Sequence, residues 1–159
     1  MNVTSESKIQ EQLVSIPAGS VILKGNLAIL QNVRGIVLFA HGSGSSRLSP
    51  RNQYVAKLLQ EGGLATLLLD LLTPSEQAID LRTMNIRFDI GLLADRLVSA
   101  TDWLTENELT THLRIGYFGA STGAGAALVA ATQRPESVGA IVSRGGRPDL
   151  AGTALTRVK

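Results

Sequence analysis

The fold is decided by residues 113–128, which read LRIGYFGASTGAGAAL. An apolar run at residues 113–118 predicts a buried strand. The alanine-rich residues 122–131 predict a helix that is stopped by Pro135. A strand that leads directly into a helix, with Ser121 at the junction, is the arrangement that exposes a nucleophile at the edge of a sheet.

The residues around Ser121 form the pattern G-x-S-x-G, with Gly119 and Gly123 on either side. The serine must lie on a very tight turn to project from the sheet, and larger flanking residues would make the strand and the helix collide. The helix amino terminus directs partial positive charge toward a developing oxyanion. Ser121 is therefore the candidate nucleophile; the alternative is a small-residue turn without chemistry.

A second loop of interest follows the apolar run at residues 35–40. It reads HGSGSS and begins with His41, Gly42, Ser43 and Gly44. Glycines let the backbone approach a substrate closely, so N–H groups in this loop can supply half of an oxyanion hole. We expect the N–H of Ser43 to do so, with that of Thr122 as its partner. A flexible Gly/Ser connector is the alternative.

This loop does not match either glycine-rich nucleotide motif. No Gly-Lys-Ser/Thr follows it, as a P-loop requires, and no glycine stands three residues after Gly44, as G-x-G-x-x-G requires. A nucleotide-binding α/β domain is therefore a weaker hypothesis.

The remaining pattern alternates between strand and helix. Further strands are predicted at residues 11–17, 21–30, 35–40, 65–69 and 138–142. One helix is predicted to begin at Ser49-Pro50 and to end at Gly62-Gly63, with Val55, Leu58 and Leu59 on one face. A longer helix near residues 88–105 is predicted to bury Ile90, Leu93, Leu97, Ala100 and Leu104. Residues 71–87 are the least regular and are predicted to form a loop above the sheet.

This order predicts an α/β fold in which a mostly parallel open sheet is flanked by helices on both faces, with an antiparallel N-terminal hairpin. The chain has 159 residues, which is the size of one domain, residues 1–159. Ligands of such sheets bind at the carboxyl ends of the strands, where both loops of interest lie.

The composition excludes several classes of function. Hydrophobic residues make up 44% of the chain and charged residues 18%, which argues against disorder. The net charge is only +2 with no polybasic run, so we expect no nucleic-acid partner. Cysteine is absent, which removes disulfides and thiolate chemistry. We expect neither a signal peptide nor a membrane-spanning segment, because the first residues are polar and no run of about 18 apolar residues occurs, and we expect a cytoplasmic location with no membrane partner.

Together the two loops resemble the α/β-hydrolase superfamily, with small dienelactone-hydrolase-like proteins as the nearest likeness. The resemblance is carried by residues 38–46 (LFAHGSGSS), 65–74 (ATLLLDLLTP) and 115–128 (IGYFGASTGAGAAL), and it covers nearly the whole chain. It implies a serine hydrolase that acts on an ester, lactone or related small acyl compound, with no metal and no organic cofactor.

The sequence departs from this family in its catalytic histidine. The triad of such enzymes follows the order Ser, Asp or Glu, His, but only His41 and His112 occur here and both precede Ser121. By resemblance His41 is a structural loop residue. His112 lies at the amino end of the strand that leads to Ser121, about 20 Å away at 3.3 Å per residue. We therefore expect a chain that lacks the C-terminal part of the fold and its triad base, and has very low activity.

Four other side chains are weaker candidates for a role at the site, two as acids and two as cationic groups. Asp149 follows the last predicted strand by a short loop, which is an alternative acid position in some α/β hydrolases, and Asp70 ends the strand at residues 65–69. Neither acid has a triad role without a histidine to orient. Arg144 and Arg147 are candidates for holding an anionic substrate group or a partner, with a solvated surface loop as the alternative.

Two functional hypotheses from different classes remain. The first is a hydrolase with Ser121 as nucleophile. The second is a binding or interaction module whose oxyanion pocket holds a small anion or acyl group without turnover. In either case residues 138–142 would form an open sheet edge, which predicts a homo-oligomer or another association there.

Overall fold

The computed structural model describes residues 8–159. Its strands are β1 (Gln10–Ala18), β2 (Val21–Ile29), β3 (Gly35–Ala40), β4 (Ala65–Leu69), β5 (Arg114–Ala120) and β6 (Val138–Arg144). Its α-helices are α1 (Pro50–Glu61), α2 (Pro74–Thr83), α3 (Ile90–Glu106) and α4 (Thr122–Gln133). Two 3₁₀ segments, Ile86–Phe88 and Pro148–Arg157, complete the set.

The strands form one mixed sheet in the order β1-β2-β4-β3-β5-β6. The pairs β1/β2 and β2/β4 are antiparallel, whereas β3/β4, β3/β5 and β5/β6 are parallel. The predicted α/β class, the N-terminal hairpin and all six predicted strands are confirmed. At the carboxyl edge Ala40 pairs with Gly119, and Ala120 pairs with Arg144, so the loops after β3, β5 and β6 emerge side by side.

Helices cover both faces of the sheet. The larger core lies on the side of α3 and α4, where α3 buries Leu93, Leu97, Ala100 and Leu104 as its spacing predicted; Ile90 is only half-buried. On the opposite side α1 packs over Phe39 and Leu68 in a smaller cluster.

The buried face of α1 differs from the prediction. The predicted bounds and the Ser49 cap are confirmed, since the Ser49 side chain accepts a hydrogen bond from the Asn52 backbone N–H. Of the predicted face, Val55 and Leu59 are half-buried against Phe39 and Leu68, but Leu58 is 48% exposed, and the fully buried positions are Asn52, Ala56 and Gln60. A polar side of the helix faces the sheet because the Gln60 side-chain amide donates a hydrogen bond to the hydroxyl of Thr66 in β4, at 2.7 Å.

The prediction of an irregular loop at residues 71–87 was wrong, because the segment contains α2 and the 3₁₀ turn Ile86–Phe88. Thr73 and Glu76 form a capping box at the start of α2: each side chain accepts from the other residue's backbone N–H. Asp80 is the buried residue of this helix, and it pairs with Arg87. Charged contacts, and not an apolar stripe, therefore hold α2 in place.

The 3₁₀ segment Pro148–Arg157 was not predicted. It turns at Gly152, whose φ is +55°, and buries Ala151 and Ala154. It packs closely on α4 at Gly125, where a Cβ atom would come within 2.9 Å of the Arg147 carbonyl oxygen.

Strand β6 lies at the edge of the sheet and is poorly covered. Ile141 contributes to the larger core, whereas Val142, on the side of α1, is 54% exposed. Among the described residues no helix is long and apolar enough to cross a membrane.

Candidate active site

Ser121 occupies a strained turn between β5 and α4. Its φ of +52° and ψ of −121° lie in a region that residues with a side chain rarely adopt. The turn is closed by backbone hydrogen bonds: the Ala124 and Arg147 N–H groups both donate to the Ser121 carbonyl at 3.1 Å. Strain of this kind, held by its surroundings, is typical of functional sites.

The two glycines of the motif are required by close packing. A Cβ atom on Gly119 would lie 2.5 Å from the Cα of Ala124, inside the first turn of α4. A Cβ atom on Gly123 would collide with the carbonyl oxygens of Ala40 and His41 at the end of β3. Gly123 therefore lets α4 approach β3 closely, and this brings the loop at residues 41–46 next to Ser121.

The loop begins with a tight turn beside the serine. The Ser45 N–H donates to the Gly42 carbonyl at 3.2 Å, and Gly44 has a φ of +70°, as the third position of a type II turn requires. A Cβ atom on Gly42 would lie 3.2 Å from the Cβ of Ser121, and the Ser43 hydroxyl lies 3.1 Å from that of Thr122. The two sequence motifs are thus in contact.

The candidate oxyanion donors are the backbone N–H groups of Ser43 and Thr122. Neither has a hydrogen-bond acceptor within the part of the chain that the structure describes. A pair of backbone N–H groups without acceptors beside a nucleophile is suited to stabilise a developing oxyanion.

His41 is held by both of its ring nitrogens. The Leu71 N–H donates to Nε2 at 3.0 Å, so Nε2 must be unprotonated, and Nδ1 then donates to the Gly42 carbonyl at 2.9 Å. Burial lowers the pKa of His41 below its ordinary value, against the opposing effects of the Gly42 carbonyl and the Asp70 charge. The ring is neutral, only 7% exposed and fully engaged, which suits a structural role and leaves no nitrogen for a proton transfer.

Asp70 clamps the other end of this loop. Its carboxylate accepts from the Arg47 backbone N–H at 2.7 Å and from the Arg47 guanidinium at 2.5 Å. Arg47 also donates to the side chain of Asn26 in β2, at 3.2 Å. Because His41 and Arg47 are both anchored to the residues that follow β4, the loop is pinned at its two ends.

The other predicted residues lie around this centre without joining it. Asp149 and Arg147 pair with each other on the surface through two hydrogen bonds, of 2.9 and 2.7 Å. The Arg144 guanidinium lies over the ring of Phe118, 5.6 Å from its centroid, and its Nη1 is buried without a hydrogen-bond partner in the described chain. His112 is exposed at the opposite end of β5.

A cleft that the sequence analysis missed adjoins the loop. It is lined on one side by residues 41–46 and Thr122, and on the other by side chains of the α2 region, among them Gln77, Asp80 and Arg87. The Arg87 Nη1 lies 3.8 Å from the position that a Cβ atom on Gly44 would take. The sequence carried one signal for this wall, the Thr73-x-x-Glu76 pattern of a capping box.

Known proteins share this architecture. The chain is 70% identical to a dienelactone hydrolase of known structure from Anabaena variabilis ATCC 29413, with a TM-score of 0.93 over 95% of this chain and 70% of that one. A dienelactone-hydrolase-like promiscuous phosphotriesterase from metagenomic libraries shares the fold at 20% identity, with a TM-score of 0.74 over 95% of this chain and 65% of that one. No model of a known protein family matches the chain.

The chain also resembles two proteins of Mycobacterium tuberculosis, strains CDC 1551 / Oshkosh and ATCC 25618 / H37Rv, each named "Putative phosphoribosyl transferase". Identity is 52% over 158 residues, or 99% of this chain. The chain spans 35% of the length of these relatives. Since the strand order, the strained serine turn and 70% identity to a solved dienelactone hydrolase agree, the chain belongs to the dienelactone hydrolase family of α/β hydrolases.

Proposed function

We propose that this protein has the site of a serine hydrolase that acts on an ester, lactone or related acyl compound, with Ser121 as nucleophile. The observation that carries the proposal is the strained Ser121 turn in contact with the loop at Gly42, beside two N–H groups that have no acceptor among residues 8–159. Membership of the dienelactone hydrolase family supports the same chemistry.

The reaction has two steps. The Ser121 Oγ attacks the acyl carbon and gives its proton to a base, while the N–H groups of Ser43 and Thr122 stabilise the tetrahedral oxyanion. The tetrahedral intermediate then collapses: its C–O bond to the leaving group breaks, the protonated base gives its proton to the departing oxygen, and an acyl-serine remains. Water then attacks this acyl group, releases the carboxylic acid and restores the hydroxyl.

The general base is the component that these residues do not supply. Both nitrogens of His41 are engaged, and His112 lies at the far end of β5. Removal of a triad member leaves a residual enhancement of about 10³–10⁴ over water, which comes from the oxyanion hole and binding. We therefore propose a low rate for this chain alone, limited by proton removal from Ser121.

A chemical rescue experiment tests this proposal. Imidazole supplied in solution can act as the missing base, so hydrolysis of p-nitrophenyl acetate should rise with imidazole beyond the imidazole blank. Labelling of Ser121 by a fluorophosphonate should rise in parallel. Ser121→Ala should abolish both effects, and Ser137→Ala, at a half-buried serine outside the site, should change neither.

The alternative is a binding module that does not turn its ligand over. It predicts no covalent label on Ser121 at any imidazole concentration, together with saturable binding of small acyl compounds that survives Ser121→Ala. Labelling that depends on Ser121 would exclude this alternative. The phosphoribosyl transferase name belongs to proteins of which this chain spans only 35%.

A further inference from the structure

The peptide group that carries one of the two candidate oxyanion donors is fixed through its carbonyl. The Ser43 N–H belongs to the same planar unit as the Gly42 carbonyl, and in a trans peptide such as this one the two groups point in opposite directions. The Gly42 carbonyl accepts two hydrogen bonds, from the Ser45 N–H at 3.2 Å and from the His41 Nδ1 at 2.9 Å. The groups that donate to this carbonyl therefore set the direction of the Ser43 N–H.

His41 can hold this carbonyl in only one of its two neutral tautomers. Nδ1 donates when it carries the ring proton, and Nε2 then needs a donor of its own. The Leu71 N–H supplies it, at 3.0 Å. In the other tautomer the proton on Nε2 would face the Leu71 N–H and the lone pair of Nδ1 would face the Gly42 carbonyl, so both contacts would be repulsive. The ring therefore keeps its donating tautomer as long as the Leu71 N–H stays in place.

Leu71 is held in turn by a buried arginine of α3. The Arg96 side chain is 7% exposed, and its Nη1 donates to the Leu71 carbonyl at 3.2 Å. Among residues 8–159 no other group donates to that carbonyl. The Glu76 carboxylate accepts from both terminal nitrogens of Arg96, at 2.9 and 2.7 Å, and so fixes the orientation of the guanidinium. Leu71 lies between β4 and α2, outside the ladder of the sheet, so Arg96 is the main polar restraint on its carbonyl side.

We infer that Arg96 is a positioning residue of the oxyanion hole, which acts through Leu71 and His41 on the direction of the Ser43 N–H. The inference rests on the proposed function, because that function makes the Ser43 N–H an oxyanion donor. Three successive hydrogen bonds, of 3.2, 3.0 and 2.9 Å, carry the effect from the guanidinium to the Gly42 carbonyl. Loss of Arg96 releases Leu71, lets the His41 ring exchange between tautomers and frees the peptide of Ser43 to rotate.

The tautomer of His41 is a readout that a loss of stability alone would not change. Nitrogen NMR of protein labelled with ¹⁵N-histidine distinguishes a protonated from an unprotonated ring nitrogen, and His112→Gln removes the signal of the only other histidine. At pH 7.5 the His41 ring is neutral, because burial lowers its pKa. In this background the ring should show a protonated Nδ1 and an unprotonated Nε2. The further substitution Arg96→Met should give the averaged shifts of both tautomers.

Imidazole-rescued hydrolysis of p-nitrophenyl acetate measures the consequence for the reaction. Loss of one oxyanion-hole donor costs about 10²–10³ in kcat, so Arg96→Met should lower kcat at least tenfold. KM should change less than twofold, because the donor acts on the transition state and not on the bound substrate. Labelling of Ser121 by a fluorophosphonate should slow by a similar factor.

Two further variants serve as controls for this measurement. Arg96→Lys keeps a cationic donor on the side of Leu71 and should bring kcat back to within threefold of the wild type. Arg134→Met removes a comparable pair of an arginine with a carboxylate, that of Asp102, at the far end of α4. It should change kcat less than twofold and leave the His41 tautomer as it is.

A double variant covers the case in which Arg96→Met does not fold. Glu76→Gln with Arg96→Met removes both charges of the pair and should show the same loss of kcat and the same mixture of tautomers. A single His41 tautomer in these variants, or a kcat within twofold of the wild type, would overturn the inference. Failure of the wild type to label at Ser121 would instead overturn the proposed function, and the His41 spectrum would still decide whether Arg96 fixes the ring.

Discussion

At the scale of single residues, close packing sets the position of the nucleophile. Ser121 adopts a left-handed φ that costs of order 1–3 kcal/mol, and the surrounding backbone allows no side chain at Gly119 or Gly123. These constraints explain why the pattern of Gly119, Ser121 and Gly123 can be recognised in the sequence. The chemistry requires an exposed hydroxyl at Ser121, and the tight turn that exposes it requires glycine on either side.

Gly119→Ala should therefore destabilise the protein by about 1–3 kcal/mol, the usual cost of overpacking. The added methyl group would meet backbone atoms of Ala124, which cannot rotate away as a side chain would. Gly139→Ala is the matched control in the neighbouring strand, since its nearest atom would be 3.9 Å away. Urea denaturation measures both, and equal midpoints for the two variants would contradict the packing argument.

His41 makes the stability depend on pH in a defined direction. Burial lowers its pKa in the folded state, so below about pH 6.5 the unfolded chain binds a proton that the folded chain does not. Stability is therefore fully present above that pH and declines as the pH falls, by at most about 1.4 kcal/mol per pH unit.

Urea midpoints at pH 7.5 and 5.5 measure this effect. His112→Gln, which changes the exposed histidine, should keep the decline of the wild type, and His41→Asn should flatten it while lowering stability at pH 7.5. A decline that follows His112 instead would show that the buried ring is not the group that titrates.

At the scale of elements, strands were predictable and α2 was not, for one physical reason. The buried strands carry unbroken apolar runs, and α3 carries an apolar stripe at helical spacing. The pattern of apolar residues in these elements therefore predicts which of their residues are buried. The helix α2 buries one aspartate and exposes Leu81, and it is positioned by partners distant in sequence. Such ion pairs leave no periodic signal, and for this reason the cleft wall and Arg87 escaped the sequence analysis.

The pair of Glu76 with Arg96 should be the main anchor of α2. Arg96 is buried and donates to both Glu76 oxygens, at 2.9 and 2.7 Å, and to the Leu71 carbonyl. These hydrogen bonds hold the pKa of Glu76 below its usual value, so the anchor is lost as the pH falls through that lowered pKa.

Glu76→Gln should lower the free energy of unfolding by about 1–3 kcal/mol, the range for the loss of hydrogen bonds to a charged group. It should also accelerate hydrogen exchange in α2 while the amides of β3 and β5 stay protected. Glu61→Gln, at the exposed end of α1, is the control and should alter neither quantity. Uniform acceleration across the sheet would show that α2 is not a separately anchored element.

At the scale of the whole molecule, coverage of the sheet is uneven. The side of α3 and α4 holds most of the buried residues, whereas the α1 side covers β3 and β4 and leaves Val142 of β6 exposed. An edge strand presents unpaired N–H and C=O groups to any chain that can align with it. Strand β6 reads VGAIVSR, and its arginine at position 144 lies at the carboxyl end, so its first six residues carry no charge that would discourage pairing.

We therefore propose that the protein associates through β6, most simply with a second copy of itself. Light scattering coupled to size exclusion should show a mass that rises with concentration. Val142→Lys places a charge on the exposed face of this edge and should restore a monomer, whereas Leu13→Lys, at a 62% exposed position on the opposite edge strand β1, should not. A monomer at every concentration, or equal effects of the two substitutions, would rule out β6 as the contact, because only a contact at that edge distinguishes one lysine from the other.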